Sequence, residues 1–234
     1  MFDAVRAVTE IPGAAAGKRF AVWGESQGGH AALWTGQLAR SYAPELNLVG
    51  VAAAAPPTNL IDNLRQGSDP SVRAFLTAFT AYSWSRYYGT PLSSLGNRQT
   101  QNIITRLSEN NCVTLEAKPK LGAIIGVTVL RRNLRNVDLG RIQPWARYAR
   151  TNSVSAAAIR VPMLIAQNPK DVIVAPAVTR QFARNACAIR KSIRWIDING
   201  KGHQTSATDT AAMTIDWIDN RFAGRAPRND CGKF

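Results

Sequence analysis

The chain has 234 residues, 45% of them hydrophobic, and a formal net charge of +14 at pH 7. Such a length and composition fit a folded protein with one sizeable core and room for a subdomain, and exclude a disordered chain. The pI near 10.5 raises nucleic-acid binding, yet the 29 Lys and Arg residues are scattered, with no basic run and no nucleic-acid motif. The small clusters, Arg131, Arg132 and Arg135, and Arg184 to Arg194, read as solvated helix faces, so no nucleic-acid partner is expected.

Three cysteines and two histidines lack the spacing of a zinc site, and no metal is expected. Cys187 and Cys231 read equally as a bridge or as two unrelated buried thiols. A bridge would close a loop of roughly 40 residues, worth about 4 kcal/mol in the loop-entropy account. Cys112 has no assigned role. Met1–Arg6 lacks the basic opening and apolar core of a signal peptide. The longest apolar run, Leu121–Leu130, is about half of what a membrane span needs, so no transmembrane segment is expected.

In chain order, Phe2, Val5, Val8 and Thr9 recur at helical spacing, which predicts an amphipathic helix ending near Pro12-Gly13. Phe20–Trp23 is a short apolar strand, followed by a glycine-flanked serine and a helix that closes around Arg40–Pro44. Leu48–Ala55 is small and apolar throughout and stops at Pro56-Pro57, the pattern of a strand buried on both faces. From residue 58 to 158 the pattern changes to amphipathic pieces with few convincing strands, namely Val72–Tyr82, Gln99–Leu107, Leu121–Leu130 and Trp145–Arg150. This segment reads as a helical cap or lid insertion, because one crossover seldom needs such length. Tyr82, Trp84, Tyr87 and Tyr88 could line an acyl pocket there, although aromatic residues in a cap more often form its own core.

Val161–Gln167 is another buried strand, and a helix starts near Pro176, well placed in a first turn, and runs to about Ala188. Ser192–Ile198 alternates Ile193 and Trp195 with polar residues and ends in the turn Gly200-Lys201-Gly202-His203. The last helix is predicted from near Asp209 to Phe222, with Ala211, Ile215, Ile218 and Phe222 as its buried face. Strands alternating with helices give an α/β class with a parallel sheet of about four strands. Residues 1–57 and 159–234 would form that core around the insertion.

Chemistry concentrates at Gly24-Glu25-Ser26-Gln27-Gly28, which fits G-x-S-x-G in its required strand–turn–helix setting, the nucleophile elbow. Gly24 and Gly28 are expected where side chains would collide with strand and helix; the competing reading is a plain strand-to-helix turn. A serine needs a base, and the base a carboxylate. His30 lies one turn along the serine's own helix, where it would point away. His203, on a glycine-flanked loop after the last strand, is the better base. Asp171 leaves the sheet at its C-terminal edge, where open α/β sheets hold their sites. Asp197 lies inside a strand, and Asp209 reads as a residue complementing a helix dipole. The order Ser26…Asp171…His203 is that of α/β-hydrolases, with the Gln27 backbone N–H as an oxyanion donor.

These residues resemble the α/β-hydrolase superfamily, and more closely the secretory lipase family. The likeness is carried by Gly24–Ala31, by Asn168-Pro169-Lys170-Asp171 with Val174 and Pro176, by Gly200–His203, and by Asp216–Gly224 with Cys231. It implies a secreted, cofactor-free enzyme that cleaves carboxylic esters such as acylglycerols through an acyl-enzyme on Ser26. It also implies a helical cap that contacts lipid interfaces and a Cys187–Cys231 disulfide. Against the family pattern the chain reads as the C-terminal half of the fold, without the early strands, the signal peptide and the loop bearing a second oxyanion donor. That departure predicts weak or no turnover by this chain alone. Acyl transfer, peptide cleavage or a non-catalytic scaffold role are the alternatives left open by the elbow itself.

Overall fold

The computed structural model describes residues 1–111, 120–200 and 202–234. Cys112 and Lys201 therefore lie outside the described residues. Two compact units divide the chain, one formed by Met1–Asn59 with Val154–Phe234 and the other by Leu60–Ser153.

The first unit opens with helix α1 (Phe2–Thr9), strand β1 (Arg19–Glu25), helix α2 (Gln27–Tyr42) and strand β2 (Asn47–Ala54). After the second unit come β3 (Met163–Gln167), α8 (Pro176–Ala188), β4 (Ile193–Asp197) and α9 (Ser206–Phe222). The four strands form one parallel sheet in the order β1-β2-β3-β4. Both inner strands are apolar except for Asn47 at the start of β2 and Gln167 at the end of β3, because both faces are covered: every residue of β3 is buried, as are Gly50 to Ala54 of β2. Successive residues alternate between the two faces. Val51, Met163, Ile165, Ile193 and Trp195 pack with Leu33 of α2 and Phe182 of α8, whereas Ala52, Ala54, Leu164, Ala166 and Ile196 pack with Trp217 of α9. Gly36 lets α2 sit close, since a Cβ there would be 2.9 Å from Val51 Cγ2.

Cys187 and Cys231 are disulfide-bonded, tying the C-terminal tail to the end of α8. The tail is held further by Asp230, whose N–H donates to the Ile193 carbonyl at 2.7 Å and whose carboxylate accepts from Arg194 Nη1 at 2.6 Å. Burial alone would raise the Asp230 pKa, but Arg194, the Trp195 amide and Arg228 overcome it and hold the carboxyl below its ordinary range.

Two predicted faces differ from the structure. In α9 the buried stripe is Ser206, Thr210, Thr214, Trp217 and Arg221, while Ile215 is 52% and Phe222 38% exposed. The reason lies in the sheet beneath. Gly50 has no side chain, and a Cβ there would lie 2.7 Å from the Trp217 ring and 3.0 Å from Arg221 Cγ. That opening in β2 admits Trp217 and the Arg221 stem, and the small hydroxyl residues fit the close approach beyond it. In α1 Phe2 alone is buried, against Phe20 and Tyr42, and Val8 is 44% exposed.

The second unit contains α3 (Leu60–Gln66), α4 (Pro70–Tyr88), α5 (Arg98–Asn110), α6 (Leu121–Asn133) and α7 (Trp145–Thr151). Asp69 caps α4 by accepting from Ser71 and Val72 amides, and Asn97 caps α5 through the Thr100 amide. The unit has its own core, built on Trp84, Leu95, Ile104, Leu107, Leu130, Trp145 and Tyr148. Trp84, Tyr82 and Tyr88 belong to that core, with Tyr88 stacked on Tyr148 at 3.9 Å, whereas Tyr87 is 81% exposed. No helix among the described residues is long and apolar enough to cross a membrane.

Candidate active site

Ser26 joins β1 directly to α2 and has φ 54° and ψ −119°, a conformation that L side chains rarely adopt. Surrounding bonds hold it there: its N–H donates to the Ala54 carbonyl at 2.8 Å, and its own carbonyl accepts from His30 N–H at 2.9 Å. The elbow glycines divide differently from the expectation. A Cβ on Gly24 would overlap the Gly28 carbonyl, as expected, but one on Gly28 would meet nothing within 4 Å. The tight position is Gly29 instead, where a Cβ would lie 3.1 Å from the Ala54 and Gly24 carbonyl oxygens. Gly28 is exposed on the outer side of the first helical turn, and Gly29 faces the sheet.

Asp171 follows β3 in a tight turn and is 5% exposed. Its Oδ1 accepts from the Ile173 and Val174 amides at 2.8 and 3.0 Å, the Asx turn that Asp favours. Its Oδ2 accepts from Gln167 Nε2 at 3.0 Å and from His203 Nδ1 at 2.7 Å. Four N–H donors on two oxygens suit a carboxylate, which only accepts. With Nδ1 donating, the other ring nitrogen of His203 can accept, and it lies 2.7 Å from Ser26 Oγ. Serine, histidine and aspartate thus form one hydrogen-bonded chain, although 177 residues separate the first two.

His203 is 3% exposed and opens a short 3-10 turn after Gly202, whose φ of 148° belongs to glycine. Three side chains brace this turn. Ser206 Oγ donates to the His203 carbonyl at 2.8 Å, and Asn168 Nδ2 donates to the Gly200 carbonyl at 3.0 Å. Glu25 Oε1 accepts from the Ala207 amide at 2.9 Å, linking the serine's elbow to the start of α9. Sequence reasoning missed these bracing roles of Glu25, Asn168 and Ser206, and the bond from Gln167 to Asp171. An Asn directly after a strand was a usable turn signal, but the long-range partner of Glu25 leaves no local trace.

The rejected alternatives are occupied elsewhere. His30 Nδ1 lies 2.8 Å from the Pro57 carbonyl. Asp197 accepts from Arg180 and from Trp195 Nε1, and Asp209 from Thr205. The Gln27 amide is the first of α2, one of the four N–H groups a helix cannot satisfy internally. Among the described residues no three His, Cys, Asp or Glu side chains gather as a metal site.

Comparisons with known proteins concern the family and the fold. Lipase A of Moesziomyces aphidis is 24% identical over 247 aligned residues, covering 99% of this chain and 51% of that protein. Lipase 5 of Candida albicans is 25% identical, over 90% of this chain and 46% of its own length. The chain therefore spans about half the length of the curated relatives it matches. Among solved structures, Candida antarctica lipase A superposes with a TM-score of 0.70 at 20% identity, over 93% of this chain and 52% of that one. The rice cell wall degrading esterase LipA of Xanthomonas oryzae gives 0.64 at 15% identity, over 94% and 61%. These superpositions carry the fold alone. The sequence profile of the secretory lipase family matches residues 1–230, and the chain belongs to that family.

Proposed function

We propose that the chain carries the catalytic apparatus of a carboxylic-ester hydrolase acting on acylglycerol-like lipids, with Ser26 as nucleophile, His203 as base and Asp171 as its orienting acid. The supporting observation is the unbroken hydrogen-bond chain Ser26–His203–Asp171. As His203 Nε2 takes the hydroxyl proton, Ser26 Oγ bonds to the ester carbonyl carbon, and the carbonyl electrons move onto oxygen. The Gln27 N–H, projecting from the helix start next to the serine, donates to that oxyanion. Collapse expels the alcohol, protonated by the imidazolium, and leaves the acyl group on Ser26. Water, deprotonated by His203, then releases the carboxylic acid and restores the serine.

The family's description and the names of its lipase relatives support the ester substrate and a secreted protein. The helical unit Leu60–Ser153, inserted between β2 and β3, is assigned the part of the cap. A fluorophosphonate probe tests the reading. Labelling of the 234-residue chain that disappears in Ser26→Ala and falls steeply in His203→Ala is expected. A folded wild-type chain that resists the probe would overturn it.

A further inference from the structure

A second feature of the first unit has no part in the chemistry at Ser26. A cavity of about 360 Å³ lies between α9, β4 and the tail, lined by Arg194, Met213, Asp216, Trp217, Asn220, Arg221, Arg225, Ala226 and Arg228. Four arginines thus face a space whose lining includes one carboxylate, Asp216, itself receiving a hydrogen bond from Asn220.

Arg221 is the unusual member. It is 6% exposed, and among the described residues no carboxylate lies within ion-pair distance of it. Its Nε is enclosed and has no hydrogen-bond partner, and the neighbouring Trp217 Nε1 is orphaned as well. The guanidinium is stacked over the Trp217 ring with its carbon 5.5 Å from the centroid, and burial pushes its pKa below the ordinary arginine value. A helix C-terminus could offer carbonyls to such a charge, but those of Arg221 and Phe222 already accept from Arg19. The other cations do not relieve it: Arg194 and Arg228 share Asp230, and Arg225 donates to Asn220 Oδ1. A buried charge without a counter-charge is costly, and here the cavity beside it is ample against the roughly 30 Å³ that one water occupies in the liquid.

We propose that this cavity is an anion site in which Arg221, aided by Arg225, binds a tetrahedral oxyanion, either free phosphate or a phosphomonoester lipid headgroup. Arginine's planar fork suits such an oxyanion. The Gly50 opening in β2 admits the stem of Arg221, and Asp230, taken by Arg194 and Arg228, leaves Arg225 and Arg221 as the donors not already committed to a carboxylate.

The test titrates inorganic phosphate into the full chain by calorimetry at constant ionic strength, beside a flotation assay on phosphatidylcholine vesicles with and without phosphatidic acid. Saturable phosphate binding is expected in the wild type and in Ser26→Ala. Arg221→Met should weaken it at least tenfold, and the exposed Arg225→Gln, which leaves the core untouched, about threefold to tenfold. Vesicle binding that needs phosphatidic acid and Arg221, without binding of free phosphate, identifies the headgroup as the source and equally supports the site. Should Arg221→Met fail to fold, Arg225→Gln carries the decision. Phosphate and phosphatidic acid responses that are absent, or unchanged by the substitutions that fold, overturn the proposal.

Discussion

Replacing Asp171 by asparagine separates the orienting role proposed for this residue from its structural one. Its two oxygens receive four N–H donors at 2.7 to 3.0 Å, from Ile173, Val174, Gln167 and His203. An amide offers one acceptor oxygen. Left facing the Ile173 and Val174 amides, it presents an NH₂ group to Gln167 and His203. Gln167 can adapt by flipping its amide, so that its Oε1, now buried without a partner, accepts, at the loss of the 3.3 Å bond from Nε2 to the Asn168 carbonyl. His203 can adapt only by changing tautomer, so that Nδ1 accepts and Nε2 carries the proton toward Ser26. Stability should therefore fall by no more than about 1–3 kcal/mol, the cost of one polar group left imperfectly satisfied. Reactivity should fall by about 10⁴, the scale of a wrong-tautomer histidine in such a triad, or roughly 5 kcal/mol of barrier. The assay is the second-order rate of fluorophosphonate labelling, with hydrolysis of a p-nitrophenyl ester and thermal melting in parallel. Asp171→Asn reacting within tenfold of wild type, with a native melt, would refute the assignment of this carboxylate.

Two further predictions follow from particular contacts. Gly24→Ala should destabilise by about 1–3 kcal/mol, since the new Cβ overlaps the rigid Gly28 carbonyl, whereas Gly28→Ala should be neutral or stabilise by roughly 0.5–1 kcal/mol as an open helical position. Urea midpoints for both check this, and equal losses would contradict the division of roles between the two glycines. Asp230→Asn should cost about 2–3 kcal/mol at pH 7 by breaking charge-assisted bonds to Arg194. Because the folded carboxyl titrates below its unfolded value, near 3.9, the wild type's advantage should be full above about pH 4 and shrink as pH falls through the folded value. Urea unfolding of both proteins at pH 7, 5 and 3 reads this, and a gap absent at pH 7 would contradict it.

The sequence by itself determined the strands, the serine turn and the family. Each depends on short-range pattern: a run of apolar residues long enough for one strand, a glycine where a carbonyl must pass, an Asp two residues before a turn amide. Ser26, Asp171 and His203 could be ordered because each follows a strand, and parallel strands bring their C-terminal ends to one edge of the sheet. Tertiary structure decided what depends on the opposing surface. Hydrophobic periodicity placed Ile215 and Phe222 inward on α9, but the opening at Gly50 in β2 took Trp217 and Arg221 instead. In the same way the sheet decided that Gly29, and not Gly28, must lack a side chain. The Glu25 and Asn168 braces join residues 182 and 32 positions apart, and only the fold buries Arg221 where, among the described residues, no carboxylate lies within ion-pair distance. A helical period tells how a face repeats; the shape of the neighbour decides which face is chosen.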